Sequence, residues 1–136
     1  MNADAGLREQ LQDMLAKADR SLHAAREHLT KGDHDFAVSR AYYAVFYCLE
    51  ATLLTRGLVF SRHGGVIAGF NQHFVKTGIF PRDFSERIAR LFRQRQIGDY
   101  RFTVSISLEE ASEVVRDAHA LTVSIADHLR QQKFVG

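Results

Sequence analysis

Residues 39–50, Ser-Arg-Ala-Tyr-Tyr-Ala-Val-Phe-Tyr-Cys-Leu-Glu, constrain this chain more than any other stretch, because they are built for burial yet keep Arg40, Tyr43, Tyr47 and Glu50 on one side. Those four follow the three-and-four spacing of a helix face. Ala37, Ala41, Ala44, Cys48 and Ala51 repeat at the same spacing on another side, a seam of small side chains that lets a neighbouring helix come close. A helix apolar on nearly every side belongs at the centre of a bundle. Burying Arg or Glu is costly unless each is paired, so the polar groups of such a helix need partners or must open onto a cleft.

The remaining periodic segments are helical too. Leu11, Leu15, Ala18, Leu22, Ala25 and Leu29 predict a first amphipathic helix that Lys31-Gly32 closes. The central helix is expected to start near Asp33 or Asp35 and to stop at Arg56-Gly57. A third, shorter helix is predicted from Gly64 to Lys76, with Val66, Ile67, Phe70 and Phe74 inward. Pro81 suits the first turn of a fourth, which carries Phe84, Ile88 and Leu91 inward and loses its pattern by Gly98. Ser107-Leu-Glu-Glu110 reads as a capping box that opens a fifth, whose face is Leu108, Ala111, Val115, Ala118, Thr122, Ile125 and Leu129. Arg101 to Ser107 alternates like a strand but has no second strand to pair with, and is read as an extended loop. The prediction is an all-α, up-and-down bundle of about five helices in one domain, residues 1–136.

Bulk properties exclude several classes. A net charge of +2 does not by itself require a nucleic-acid partner, although Arg82, Arg87, Arg90, Arg93, Arg95 and Arg101 form a locally basic strip. Such a strip either binds phosphate or keeps an outer helix face soluble. The single cysteine, Cys48, rules out a disulfide framework and fits a reducing compartment. No stretch reaches transmembrane length and no signal-like segment opens the chain, so a soluble, cytoplasmic protein is expected.

Continuing the Phe84, Ile88, Leu91 spacing places Arg95 on the apolar face, with Asp99 one turn further on and Tyr100 beside it, while Arg93 points away. Arg95 and Asp99 form either a structural ion pair or the edge of a polar cleft, shared with Arg40, Tyr43 and Glu50, that holds a phosphate. The seven histidines, scattered from His23 to His128, show no metal-ligand spacing, and no metal or cofactor is expected. His63 stands apart because Ser61-Arg62-His63-Gly64-Gly65 opens a helix, where backbone amides favour anions; it either packs in its loop or serves that site. Phosphate-loop and nucleophile-elbow motifs are missing from the sequence.

Taken in order, Ser39-Arg-Ala-Tyr-Tyr-Ala-Val-Phe-Tyr47, His63-Gly-Gly-Val-Ile, Phe74-Val-Lys-Thr-Gly78 and Arg95 followed by Asp99-Tyr100 resemble the HEPN-domain superfamily, in its small stand-alone prokaryotic branch. The resemblance implies a HEPN-like helical bundle, a homodimer, and a toxin paired with a minimal nucleotidyltransferase antitoxin. Catalytic members are metal-independent ribonucleases whose signature is an arginine followed after four to six residues by histidine. Here Arg95 is followed at those places by Tyr100, Arg101 and Phe102. Arginine stabilises phosphate charge and histidine moves the proton of the 2′-hydroxyl, so the second role is vacant unless His63 fills it from elsewhere in the fold. The catalytic set implied is Arg95, Asp99, Tyr100 and His63, with Arg40, Tyr43, Tyr47 and Glu50 binding RNA or nucleotide phosphate. The competing function is a non-catalytic module that only pairs with the nucleotidyltransferase. A third is a purely structural helical protein whose buried charges neutralise one another.

Overall fold

The computed structural model describes residues 2–103 and 106–136, and among them the chain forms five α-helices and no strand. The helices are α1 (Asn2–Lys31), α2 (His34–Leu54), α3 (His63–Phe70), α4 (Asp83–Tyr100) and α5 (Leu108–Gln131). A π-helical segment, Asn71–Val75, continues α3. α2 is the hub, with α1, α4 and α5 all packed against it. The alanine seam explains why: Ala37, Ala41, Ala44, Cys48 and Ala51 are all fully buried, and Ala18, Ser21 and Ala25 of α1 are buried as well. Small side chains let the axes approach, and the Ser21 hydroxyl then donates to the Arg40 carbonyl at 2.7 Å.

The helix ends follow their local chemistry. Gly32 and Gly57 turn the chain at φ of 84° and 70°, a left-handed conformation that glycine adopts without strain. Ser107 caps α5, its hydroxyl accepting from the Glu110 amide while the Glu110 carboxylate accepts from the Ser107 amide, each at 3.0 Å. The π-helical segment buries the adjacent Phe74 and Val75 together, and Phe70, Phe74, Phe80 and Phe84 form a continuous row of rings beneath it.

Three expectations need correction. α4 does not fade at Gly98 but runs on to Tyr100. Glycine is needed there for approach: a Cβ on Gly98 would lie 3.2 Å from the Asp35 carbonyl oxygen at the start of α2. Leu108 does not belong to the buried face of α5; it is exposed in the first turn, and Val114 and Leu121 complete the stripe instead. Pro81 stands just ahead of α4, its carbonyl accepting from the Phe84 amide at 3.1 Å. The predicted loop begins with extended backbone at Arg101, and Val104 and Ser105 lie outside the described residues. Among the described residues no helix is long and apolar enough to cross a membrane.

Gly98→Val should separate α4 from the start of α2, because the atom it meets is backbone rather than a side chain that can rotate. The expected loss is about 1–3 kcal/mol of unfolding free energy, read from the urea midpoint with the slope unchanged.

Candidate functional site

The site grows from two consecutive tyrosines. Neighbours on a helix point about 100° apart, so Tyr42 is carried into the core while Tyr43 stays half-buried on the polar stripe. A buried tyrosine hydroxyl requires a partner. His63, the first residue of α3, provides it, with Nδ1 2.8 Å from the Tyr42 oxygen. The His63 ring stacks on Phe46 at 4.2 Å between centroids and lies nearly parallel to Tyr42. The approach to α3 is fixed by Phe60, whose ring lies on Gly65 and Gly69; a Cβ at Gly69 would come within 2.7 Å of it. Glycine in this segment therefore makes a seat for Phe60, and that seat sets where His63 begins.

α4 brings the third component. Arg95 is only 12% exposed, and its guanidinium carbon lies 4.9 Å from the Tyr42 ring centre, 5.7 Å from Tyr43 and 5.4 Å from Phe92. Nη1 donates to the Asp99 carboxylate at 3.0 Å. Nε is buried with no hydrogen-bond partner among the described residues. Tyr43 bridges the cluster to the stripe, with His63 edge-on at 5.7 Å and the Arg40 guanidinium over its ring at 4.9 Å.

The electrostatics separate the two functional groups. Burial pushes the His63 pKa below its ordinary value, and the nearby Arg95 charge pushes it further, so the ring is held neutral. Burial also works against the Arg95 charge, but the Asp99 hydrogen bond and the two tyrosines outweigh it and the net shift is upward. The Tyr42 hydroxyl is held protonated, raised by burial against the opposing Arg95 charge. With Tyr42 on Nδ1, Nε2 is the nitrogen left for other partners.

The residues singled out in the sequence do not all meet. Arg95, Asp99, His63, Tyr43 and Arg40 converge. Tyr47 and Glu50 turn toward α1, where the Lys17 ammonium lies 4.8 Å from the Tyr47 ring centre and is the charge that lowers the otherwise burial-raised Glu50. Glu50 lines a separate pocket of about 170 Å³ with Gln10, Met14 and Phe60. Tyr100 points to solvent, 74% exposed, one residue beyond the Asp99 that holds Arg95. Tyr42, Phe46 and Phe92 escaped the sequence reading, and only the need of a buried phenol for a partner could have flagged Tyr42. Among the described residues no three or more His, Cys, Asp or Glu side chains gather as metal ligands.

The chain has relatives among known proteins. The family model of the HEPN domain matches residues 11–126. A Methanocaldococcus jannaschii protein named as a "Putative toxin" is 36% identical over 112 residues, covering 82% of this chain and 76% of that one. A UPF0332 protein of Thermotoga maritima is 42% identical over 89 residues, 65% of this chain and 67% of its own. A Gloeobacter violaceus UPF0332 protein is 35% identical over 115 residues, 85% of this chain and 91% of that chain. The crystal structure of TT1696 from Thermus thermophilus shares the fold with a TM-score of 0.75 at 21% identity, covering 88% of this chain and 98% of the other.

Because the folded state holds His63 below its ordinary pKa, it binds that proton less well than the unfolded chain. The stability contributed by the neutral ring is complete above about pH 6.5 and is lost as pH falls through the lower folded value. His128, lowered by burial and by Arg56, acts in the same direction. The melting temperature should therefore fall between about pH 7 and pH 5, and His63→Gln should show a shallower fall than the wild type. An identical slope in the variant would mean that His63 does not titrate with folding.

Proposed function

The chain belongs to the HEPN-domain family, and on that premise we propose that it is a toxin-type member whose Arg95 and His63 engage the phosphodiester of RNA and cleave it without a metal ion. The observation that carries this reading is the convergence of both residues on Tyr42: a fixed cation and a neutral imidazole in one aromatic setting. The family signature places histidine four to six residues after arginine; here α3 brings a histidine beside Arg95 from another part of the chain. In the proposed step His63, its Nδ1–H donating to the Tyr42 oxygen, accepts the 2′-hydroxyl proton on Nε2, the 2′-oxygen attacks the adjacent phosphorus, and the bond from phosphorus to the 5′-oxygen breaks as that oxygen takes a proton from water, leaving a 2′,3′-cyclic phosphate and a 5′-hydroxyl. Arg95 faces the charge that gathers on the phosphate oxygens, with the terminal guanidinium nitrogen not held by Asp99 as donor. Arg40 and Tyr43 line the approach. The reading brings with it a neutralising partner protein, a minimal nucleotidyltransferase by the family resemblance, and a homodimer as the working form.

One observation favours a second reading, in which the patch binds a partner and performs no chemistry. Asp99 already satisfies Arg95 in part, as a structural ion pair would.

Incubating the purified protein with RNA in excess chelator separates the two. Cleavage should persist and yield 2′,3′-cyclic ends. Arg95→Ala and His63→Ala should each lower the rate by about 100-fold or more. Arg95→Lys should be nearly as defective as Arg95→Ala, since an ammonium does not reproduce a planar fork. Loss of cleavage on chelation overturns the mechanism; intact RNA alongside retained partner binding supports the second reading.

A further inference from the structure

Glu50 belongs to the polar stripe of α2, yet the cluster around Arg95 leaves it out and nothing else completes its surroundings. The side chain is half-buried, and it makes no ion pair with any described residue. Lys17 is the cation that acts on it, but that ammonium lies over the Tyr47 ring at 4.8 Å instead of closing on the carboxylate. Burial therefore wins and pushes the Glu50 pKa above its ordinary value, as expected of a carboxylate that has lost water without gaining a donor. Glu50 stands on the wall of a largely apolar cavity of about 170 Å³, with Met14 of α1, Leu53 of α2 and Val66 of α3 among the other walls. Val59 and Phe60 of the α2–α3 connection line it too, 78% and 36% exposed, so apolar surface runs from the cavity out onto the face of the protein.

We propose that this cavity is the anchor pocket of a protein–protein interface, filled by one large apolar side chain of a partner that carries a lysine or arginine beside it, with Glu50 as the counter-charge. Size selects the kind of occupant: small-molecule and cofactor sites enclose about 300–1,000 Å³, whereas a single aromatic or aliphatic side chain suffices here. Interfaces concentrate their binding energy in such buried anchors, and Val59 and Phe60 supply apolar surface around this one. Charge selects the flanking group. An uncharged occupant would strip more water from Glu50 and return no hydrogen bond, and an acidic one would repel it. A cation next to the anchor instead closes on the carboxylate at the edge of the cavity, where the apolar walls weaken screening. None of the lining residues belongs to the Arg95 and His63 cluster, and the proposal does not depend on RNA cleavage.

The test is titration of isotope-labelled protein, followed by its amide chemical shifts, with capped tripeptides: acetyl-Lys-Phe-Lys-amide, acetyl-Glu-Phe-Glu-amide and acetyl-Lys-Ala-Lys-amide. The first should shift the amides of Glu50, Leu58 and Val59 and bind at least about tenfold more tightly than either of the others. Glu50→Gln keeps the shape and removes the charge, and should bring the two phenylalanine peptides to within about threefold of each other. Gln10→Trp, at an exposed position on the α1 side of the cavity, should weaken the first peptide by about tenfold or more, while the remaining amide shifts show the fold intact. No shift around the cavity at millimolar peptide overturns the anchor pocket. Equal affinity of the wild type for the lysine and glutamate peptides, or a preference that survives Glu50→Gln, overturns the cationic partner. A protein whose own mass rises with concentration, in a way that Gln10→Trp abolishes, assigns the cavity to a second copy of this chain and overturns the proposal as well.

Discussion

A phenol hydroxyl carried into a helical core must find a partner there, and the arrangement around Tyr42 follows from that requirement. α2 is packed on by α1, α4 and α5, so Tyr42 has no route to bulk water along its own helix. The hydrogen bond to His63 ties the start of α3 to the middle of α2. Once the two rings are in place, their faces and those of Phe46 and Phe92 form an aromatic recess at the α2, α3 and α4 junction. A guanidinium is well suited to such a recess, since it is weakly hydrated and stacks on ring faces. Arg95 can therefore occupy the apolar stripe of α4 without a carboxylate on every side.

The same recess sorts protonation states. Imidazolium and guanidinium side by side would repel, and burial disfavours both charges, so the group with the lower intrinsic pKa gives way. His63 is left neutral and Arg95 charged. Two groups whose environments drive them to opposite states make a usable acid–base and electrostatic pair. Cys48 shows the contrast: although it lies on the same central helix, its thiol is fully buried and burial pushes it up to about 12, which leaves it protonated at neutral pH.

Much of the fold was legible because periodicity and punctuation agreed. Gly32 and Gly57 stop helices where the apolar pattern ends, and the Ser107 and Glu110 box announces α5. What escaped was long-range. Gly98 reads locally as a breaker, and only its contact with Asp35 across the α2–α4 interface shows it to be a spacer inside the helix. The stripe of Arg40, Tyr43, Tyr47 and Glu50 was visible as a face, but one face can meet two neighbours: its first half reaches Arg95 and His63, its second half meets Lys17 of α1. Helical spacing distinguished Arg95 from Arg93. It could not show that His63 would arrive at the same ring, because a residue in another helix carries no phase relation to α4.

α4 divides its side chains among three tasks, and that division decides what its positive charge can do. Phe84, Ile88 and Leu91 fill the core. Arg87 and Arg90 reach across to carboxylates of α5, which fixes the angle between the two helices. An arginine held between two carboxylates, as each of these is, has little to offer a phosphate, because binding would first have to break existing charge-assisted contacts and strand a carboxylate. Positive charge counted along the sequence therefore overstates the attraction for polyanions. Arg93 and Arg101 retain theirs, Arg93 on the exposed face of α4 away from Arg95 and Arg101 just past the end of the helix. With a net charge of only +2 on the chain, the pairing of Arg87, Arg90 and Arg95 leaves Arg82, Arg93 and Arg101 as the arginines of the strip with no ion pair among the described residues.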